Sequence, residues 1–310
     1  MRIGLVYGGN TTEGEISKLS AAGVRGSLQK LGHEVVDIEF DQHIATHIQD
    51  ANIDVVFNAM HGRYGEDGCL QGILDIMHIP YTHSGLLSSA LGMNKSVSKR
   101  IFNDIGLLTA RSIIVTKEEL RNDAWKDKIH TSTLNDCKEV FVKPVCDGSS
   151  RDVFLVKDIN EYSFKMTDFV TVSNSFLIEE RIVGREIQVA VINNKAIGAL
   201  EVIPNFNKSE FYDYNAKYTE GGAEHKSLDG EAELARIVMQ YAEKIHEVLN
   251  LNCISRSEFI VSKEGKIYAL EVNTHPGLTA LSIVPDIASR HGISYESIIE
   301  ALLQNARFNY

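Results

Sequence analysis

Cysteine, proline and long apolar runs are scarce in this chain of 310 residues, which has four cysteines and five prolines. The cysteines lie far apart without CxxC spacing, so we expect free thiols in a reducing compartment rather than a disulfide or zinc framework. No apolar run approaches the roughly 20 residues of a membrane-spanning helix. Lys/Arg-rich runs are also lacking, and the net charge of −11 argues against nucleic acid or an anionic membrane as partner. We therefore expect a cytoplasmic protein with neither partner.

What the chain does have is the composition of a folded protein, with 44% hydrophobic and 24% charged residues. Its length exceeds what one hydrophobic core usually organises, which predicts two or three lobes. Strand and helix patterns alternate through residue 93 and indicate βαβ units. Beyond it, short strands and then longer ones predict α+β lobes. We therefore expect an α/β and α+β fold with a Rossmann-like parallel-sheet domain (1–93), a central lobe (94–180) and a C-terminal lobe (181–310).

Two loops follow predicted strands of the first domain, where α/β folds commonly build ligand sites. The first, Gly8–Glu13, lacks the GxGxxG pattern, and its Glu13 is a candidate acceptor for a substrate ammonium group. The second, His61–Gly68, combines one histidine with two acids and three glycines, which favours a binding role. A tight capping turn and a solvated turn are the respective alternatives.

A lysine at the end of an apolar strand is the third candidate. Lys143 is followed closely by Gly148, Ser149 and Ser150. A point charge beside amide and hydroxyl donors suits phosphate binding. The alternative is a lysine that only extends its charge from the strand end to solvent.

The fourth candidate is a hairpin with a turn near Gly265. Alternation along strands puts Glu271 and Asn273 on one face, with Glu258 opposite or nearly opposite Glu271. Two carboxylates and an amide oxygen favour Mg²⁺ or Mn²⁺ over zinc. Arg256, on the same face as Glu258, is placed to reach a transferring phosphoryl group. A metal near a phosphate-binding lysine indicates ATP, whereas an exposed edge hairpin is the alternative.

The last candidate is the Pro-Gly turn of residues 274–279, which leads into a helix with Ser282 in its first turn. Amides at a helix N-terminus bind anions or stabilise a developing oxyanion. An ordinary turn with a threonine cap is the alternative.

Five segments together resemble the D-alanine–D-alanine ligases, ATP-grasp enzymes of peptidoglycan synthesis. They are HGRYGEDGCLQG (61–72), IPYTHSG (79–85), VKPVCDGSS (142–150), FYDYNAKY (211–218) and LEVNTHPGLTALSIVPDIA (270–288). They occur in the family's order, and the resemblance extends from Gly8 to about Ile293. No single segment would suffice, but five spaced ones make a chance match very improbable.

The resemblance implies a three-lobed ATP-grasp fold with ATP between two antiparallel sheets, and a homodimer. It also implies the ligands of ATP and of two Mg²⁺ or Mn²⁺ ions. The matching phosphate lysines are Lys95, Lys143 and Lys217. The adenine and ribose contacts match Glu179, Glu180, Ile182 and Glu186. The metal ligands match Glu258, Glu271 and Asn273.

The remaining matches concern the substrates. A hydrogen-bonded trio around the first substrate and the closing loop matches Glu13, Ser149 and Tyr218, and His61 lines that site. Arg256 and Gly277 match groups that stabilise the phosphoryl and tetrahedral species, and Ser282 matches the contact to the second substrate's carboxylate. The implied reaction joins two D-alanine molecules through an acyl phosphate.

Departures from the family pattern leave two alternatives open. Glu258 stands where Asp is common, Gly14 replaces an arginine, and Arg151-Asp152 replaces Val-Gly. The alternatives are a related ligase with D-serine, D-lactate or another amino acid as second substrate, and a nucleotide-binding homologue without catalysis.

Overall fold

The computed structural model describes residues 1–9, 13–170, 173–205, 221–279 and 282–308. Within these ranges the strands form one three-stranded sheet, one four-stranded sheet and one five-stranded sheet. The first is parallel and the other two are antiparallel. The expected combination of α/β and α+β architecture is therefore confirmed.

The parallel sheet has the order β2-β1-β3, and the chain forms it from alternating strands and helices. All four residues of β3 are buried, as expected of a parallel strand covered on both faces. The elements are β1 (Arg2–Gly8), α1 (Gly14–Lys30), β2 (Glu34–Phe40), α2 (Ile44–Ala51), β3 (Val55–Asn58), α3 (Cys69–Met77) and α4 (Leu86–Met93).

The four-stranded sheet has the order β4-β7-β5-β6. Its core combines aliphatic with aromatic side chains, among them Trp125 and Phe164 in edge-to-face contact. Helix α5 precedes it, and the Asn94 side chain caps that helix by accepting from the amide of Val97. The elements are α5 (Lys95–Asp104), β4 (Ser112–Thr116), α6 (Lys117–Arg121), α7 (Ala124–His130), β5 (Val140–Pro144), β6 (Phe154–Val156), a 3₁₀ turn (Met166–Asp168) and β7 (Ser175–Glu180).

The five-stranded sheet has the order β10-β9-β8-β11-β12. The predicted hairpin is confirmed as the antiparallel pair β11 and β12, and Gly265 in its turn has a φ of +76°. The elements are β8 (Gly184–Ile192), β9 (Lys195–Pro204), β10 (Ala223–Ser227), α8 (Ala232–Val248), β11 (Ile254–Ser262), β12 (Ile267–Asn273), α9 (Ile283–Arg290) and α10 (Tyr295–Gln304).

Some of the hydrophobic cores extend from one sheet to elements of another part of the chain. One core combines Leu5 of β1 with Ile254 of β11 and Ile287 of α9, so the parallel sheet and the five-stranded sheet share buried surface. Phe102 of α5, a helix of the predicted central lobe (94–180), packs in the core of the five-stranded sheet. The three-domain division remains a prediction.

Two expectations about the whole chain concern membrane-spanning helices and the cysteines. In the described ranges, no helix combines the length and the apolar character needed to cross a bilayer. All four cysteines are free thiols, as expected.

Candidate active site

A cleft separates the four-stranded sheet from the five-stranded sheet. It encloses a cavity of about 400 Å³, a size typical of small-molecule sites. A smaller cavity of about 100 Å³ lies towards the parallel sheet. Lys95, Ser149 and Glu271 line both cavities, which are therefore adjacent. This juxtaposition brings most of the predicted site residues together.

Three charged side chains form a buried cluster at the floor of the larger cavity. Lys143 ends β5, and its Nζ donates to Oε1 of Glu179 at 2.5 Å. Lys99 of α5 donates to the other oxygen, Oε2. Burial alone would raise the pKa of Glu179, but the two lysines lower it below its ordinary value. Burial lowers the pKa of Lys99, whereas Glu179 and Glu271 outweigh burial and raise that of Lys143.

The sequence prediction placed Glu179 at the adenine and did not include Lys99. In the structure the carboxylate of Glu179 faces two lysines. The sequence signal that points to Lys99 is its spacing from Lys95. It follows Lys95 by four residues, which puts both lysines on one face of α5.

Lys95, the first residue of α5, lies where the two cavities meet. Its Nζ donates to the carbonyl oxygen of Asp147 at 2.5 Å and is 4.0 Å from Oε2 of Glu271. It thereby links the loop after β5 to the hairpin. Lys95 therefore brings a cation to the junction of the two cavities.

The hairpin presents its predicted ligands as expected. Glu258 pairs directly with Glu271, and Arg256 pairs with Asn273 across the two strands. A β-bulge follows Glu258. The guanidinium of Arg256 donates to Oε1 of Glu258 and is 3.9 Å from Oε1 of Glu271.

These contacts test whether a cation fits here. Two facing carboxylates repel unless a positive charge lies between them, and Arg256 supplies one. Asn273 adds a further oxygen, which accepts from the backbone amide of His275 at 2.7 Å. The all-oxygen donor set fits Mg²⁺ or Mn²⁺. Among the described residues, no group of three or more His, Cys, Asp or Glu side chains is arranged to bind a metal.

Glu13 is the central acid of the smaller cavity and only 4% exposed. Ser149 of the loop after β5 donates its hydroxyl hydrogen to Oε1 of Glu13. Burial and the neighbouring Glu66 raise the pKa of Glu13 to about 7. Gly62 and Gly148 pack directly against the carboxylate. The predicted contact between Glu13 and Ser149 is therefore present.

His61 lies beside Glu13 and lines the same cavity. Its Nδ1 is 3.2 Å from Oε1 of Glu66, and its Nε2 is 2.8 Å from Oγ of Ser20. Both ring nitrogens are thus held, which fixes the orientation of the imidazole.

Gly277 and Ser282 also line the smaller cavity. Ser282 is the residue before the first turn of α9 rather than within it. Its Oγ accepts from the amide of Thr279 at 3.0 Å. A Cβ added to Gly277 would lie 2.7 Å from that Oγ, so glycine leaves the serine room.

The predicted adenine and ribose residues line the outer part of the larger cavity. Ile182, a predicted adenine contact, is among them. Glu180 accepts two hydrogen bonds from Arg111, both at 2.7 Å, and Glu186 accepts one from Gln188 at 2.8 Å. Lys217 and Tyr218 lie outside the described residues.

Two of the departures from the family pattern have local structural settings. An added Cβ on Gly14 would lie 2.5 Å from the carbonyl oxygen of Gly9. In the loop after β5, Ser149, Ser150 and Asp152 have positive φ angles between 50° and 54°. Arg151 lines the larger cavity. The substitution in this loop therefore adds a cation to the nucleotide-sized space.

A pair of stacked histidines, which the sequence analysis did not identify, lies behind the site. The rings of His83 and His275 are 3.6 Å apart at 12°. Burial lowers the pKa of His83 to about 3 and that of His275 well below its ordinary value, so both are neutral at pH 7. The stack joins the parallel-sheet lobe to the loop that carries Asn273 and Gly277. No local pattern links two histidines 192 positions apart.

Comparisons with known proteins agree with this architecture. Residues 41–84 match the family model described as D-ala D-ala ligase N-terminus, and residues 101–304 match D-ala D-ala ligase C-terminus. A D-alanine–D-alanine ligase of Rickettsia akari (strain Hartford) is 43% identical over 99% of this chain and 92% of its own length.

Solved structures are similar over nearly the whole chain. The D-alanine–D-alanine ligase from Bacillus anthracis complexed with ATP has a TM-score of 0.80 at 28% identity, covering 98% of this chain and 96% of its own. The VanG D-Ala:D-Ser ligase from Enterococcus faecalis has a TM-score of 0.77 at 25% identity, covering 98% of each chain.

Proposed function

We propose a role for each side chain of the cleft from the premise that the chain belongs to the D-alanine–D-alanine ligase family and joins two D-alanine molecules with ATP. The observation that carries these roles is the junction of the two cavities at Lys95 and Ser149. It puts a nucleotide-sized space in direct contact with a small polar one. A phosphoryl group can therefore pass from ATP to a carboxylate without crossing solvent.

In the larger cavity, Lys143 and Lys95 contact the phosphates, and Arg151 provides additional positive charge at the same loop. Glu179, Glu180 and Ile182 border the adenine, and Glu186 borders the ribose. Lys217 is proposed as a further phosphate ligand on the family pattern alone. A cytoplasmic location is part of the proposal, because the reaction consumes ATP.

Glu258, Glu271 and Asn273 would hold two Mg²⁺ or Mn²⁺ ions. Bound there, the ions would neutralise charge on the phosphates of ATP. Support comes from the facing carboxylates and the oxygen-only donor set. Arg256, which now lies between the carboxylates, would then be available to the transferring phosphoryl group.

In the smaller cavity, the ionised carboxylate of Glu13 accepts from the ammonium of the first D-alanine, and Ser149 orients that carboxylate. The substrate carboxylate attacks the γ-phosphorus, the bond to ADP breaks, and an acyl phosphate forms. His61, held by Glu66 and Ser20, lines this pocket and positions the same substrate.

The second D-alanine then attacks the acyl carbon through its deprotonated amine, and phosphate leaves. Ser282 contacts its carboxylate, and the backbone amide of Gly277 donates to the developing oxyanion. Tyr218 is proposed to complete the trio with Glu13 and Ser149 when the substrates are enclosed.

The preference for the second substrate is tested by competition. We expect D-alanyl-D-alanine to dominate when D-alanine, D-serine and D-lactate are supplied together with ATP and Mg²⁺, as resolved by mass spectrometry. Dominance of a mixed product would favour a related ligase with another second substrate, of which the VanG D-Ala:D-Ser ligase is an example by name.

A homodimer is also proposed. Ile76 of α3 and Leu87 of α4 are 83% and 67% exposed, and they lie on neighbouring helices of the parallel-sheet lobe. Exposed apolar side chains on neighbouring helices favour association. A second copy of the same chain is the occupant proposed for this face.

A further inference from the structure

We infer that Lys99 is a positioning residue that leaves the charge of Lys143 available to the phosphates of ATP. This inference rests on the proposed role of Lys143 as a phosphate ligand. It concerns the Lys99–Glu179–Lys143 cluster, in which one carboxylate is shared by two lysines.

The arrangement of the cluster separates a cavity side from a buried side. Lys143 and Glu179 line the larger cavity, whereas Lys99 lies behind Glu179, outside the lining of that cavity. The side chains of all three are less than a tenth exposed. Lys99 therefore acts on the cavity through Glu179 and not by contact with the nucleotide.

Charge counting shows what Lys99 changes. With both lysines protonated and Glu179 ionised, the cluster carries a net charge of +1. Without Lys99, the carboxylate would pair with Lys143 alone, and the net charge would be zero. A lysine already neutralised by a buried partner attracts phosphate less, since opposite charges interact strongly where water is excluded.

The geometry adds a second effect. The two lysines donate to different oxygens of Glu179, Lys143 to Oε1 and Lys99 to Oε2. This fixes the plane of the carboxylate and, through it, the position of the Lys143 ammonium. Helix α5 also carries Lys95 one turn earlier, so one helix places two lysines of the cleft.

The test compares four variants by calorimetric titration with a non-hydrolysable ATP analogue and Mg²⁺. Lys99→Met should raise the Kd about tenfold, the loss expected for one weakened hydrogen bond to a charged group. Lys99→Arg keeps the charge and should bind within threefold of wild type. Lys99→Met with Glu179→Gln restores the net charge of +1 and should recover the affinity that Lys99→Met loses, to within threefold of Glu179→Gln alone. Glu179→Gln is the reference for the double variant, because Glu179 is also a predicted adenine contact.

A merely structural Lys99 would change the melting temperature of Lys99→Met but not its Kd, and that result would overturn the inference. Failure of the double variant to recover affinity would overturn it as well. Where Lys99→Met alone does not fold, Glu179→Gln is compared with the double variant. A tenfold loss on removing Lys99 in that background would show a direct contact with the nucleotide and refute the positioning role.

Lys143→Met separates this inference from the proposed function. If that variant binds the analogue as wild type does, the assignment of Lys143 as a phosphate ligand fails. If it binds weakly while Lys99→Met binds normally, only the inference about Lys99 fails.

Discussion

Replacement of Gly62 by alanine tests the geometry around Glu13. Gly62 has a φ of +67°, and an added Cβ would overlap Oε2 of Glu13 and lie 2.9 Å from its carboxylate carbon. Ordinary contact begins near 3.4 Å, so the carbon must retreat by about half an ångström and the overlapping oxygen by more. Because Ser149 holds the other oxygen, the carboxylate cannot move without disturbing that hydrogen bond.

The expected effect follows from this displacement. A misplacement on the order of 1 Å can cost about 100-fold in rate. We therefore expect Gly62→Ala to lower kcat/KM for D-alanine by about 100-fold, equivalent to about 2.7 kcal/mol. The Kd for ATP should be unchanged, since Gly62 does not line the nucleotide cavity. Phosphate release at varied D-alanine and saturating ATP measures the first quantity, and calorimetry measures the second.

Gly32→Ala is the matched control. Gly32 also has a positive φ, +81°, but an added Cβ there meets nothing within 4 Å. Both variants pay about 1–2 kcal/mol of backbone strain, and only Gly62→Ala displaces Glu13. We expect both variants to lose stability, Gly62→Ala more than Gly32→Ala because of its overlap with Glu13, and only Gly62→Ala to show a kinetic defect. Normal D-alanine kinetics in a folded Gly62→Ala protein would refute the placement of Glu13.

Three further predictions concern the same cleft and the exposed helices. Below pH 7, kcat/KM for D-alanine should fall about tenfold per pH unit, because Glu13, whose pKa is raised to about 7, gains a proton and no longer attracts the substrate ammonium. Glu13→Gln should be slow at every pH, and an equally steep pH profile in that variant would exclude Glu13 as the titrating group. Chelation by EDTA should abolish phosphate release, and added Mg²⁺ or Mn²⁺ should restore it. Glu271→Gln should need at least tenfold more metal for the same activity, and undiminished wild-type activity in EDTA would contradict the metal site. Ile76→Asp combined with Leu87→Asp should shift the sedimentation coefficient from dimer to monomer, and a monomeric wild type would remove the homodimer proposal.

The hairpin illustrates what local sequence can predict. Two-residue alternation and a glycine turn predict that Glu258 lies opposite or nearly opposite Glu271, because strand pairing determines the neighbour of each side chain close to the turn. The pairs nearest the turn, from Val261 with Ile267 to Phe259 with Ala269, would continue to Glu258 with Leu270. The bulge between Glu258 and Phe259 shifts the register by one residue and puts Glu258 directly opposite Glu271, a detail that alternation alone does not give. Ser282 was predicted in the first turn of α9 but precedes the helix, and its Oγ accepts from the amide of Thr279 instead of capping the helix. The exact first residue of a helix is among the features that sequence patterns predict least well.

The side-chain partners of Glu179 could not be predicted in the same way. The family pattern predicts that this residue contacts the adenine, and it does so from the order of residues along the chain. The lysines that its carboxylate contacts belong to β5 and α5 and lie 36 and 80 positions away. Direction and pairing of a buried charge follow from which elements pack together, and a buried carboxylate requires such partners to remain ionised. Sequence motifs can therefore identify which residues reach the cleft, whereas the charge available to the nucleotide depends on contacts that only the packed fold specifies.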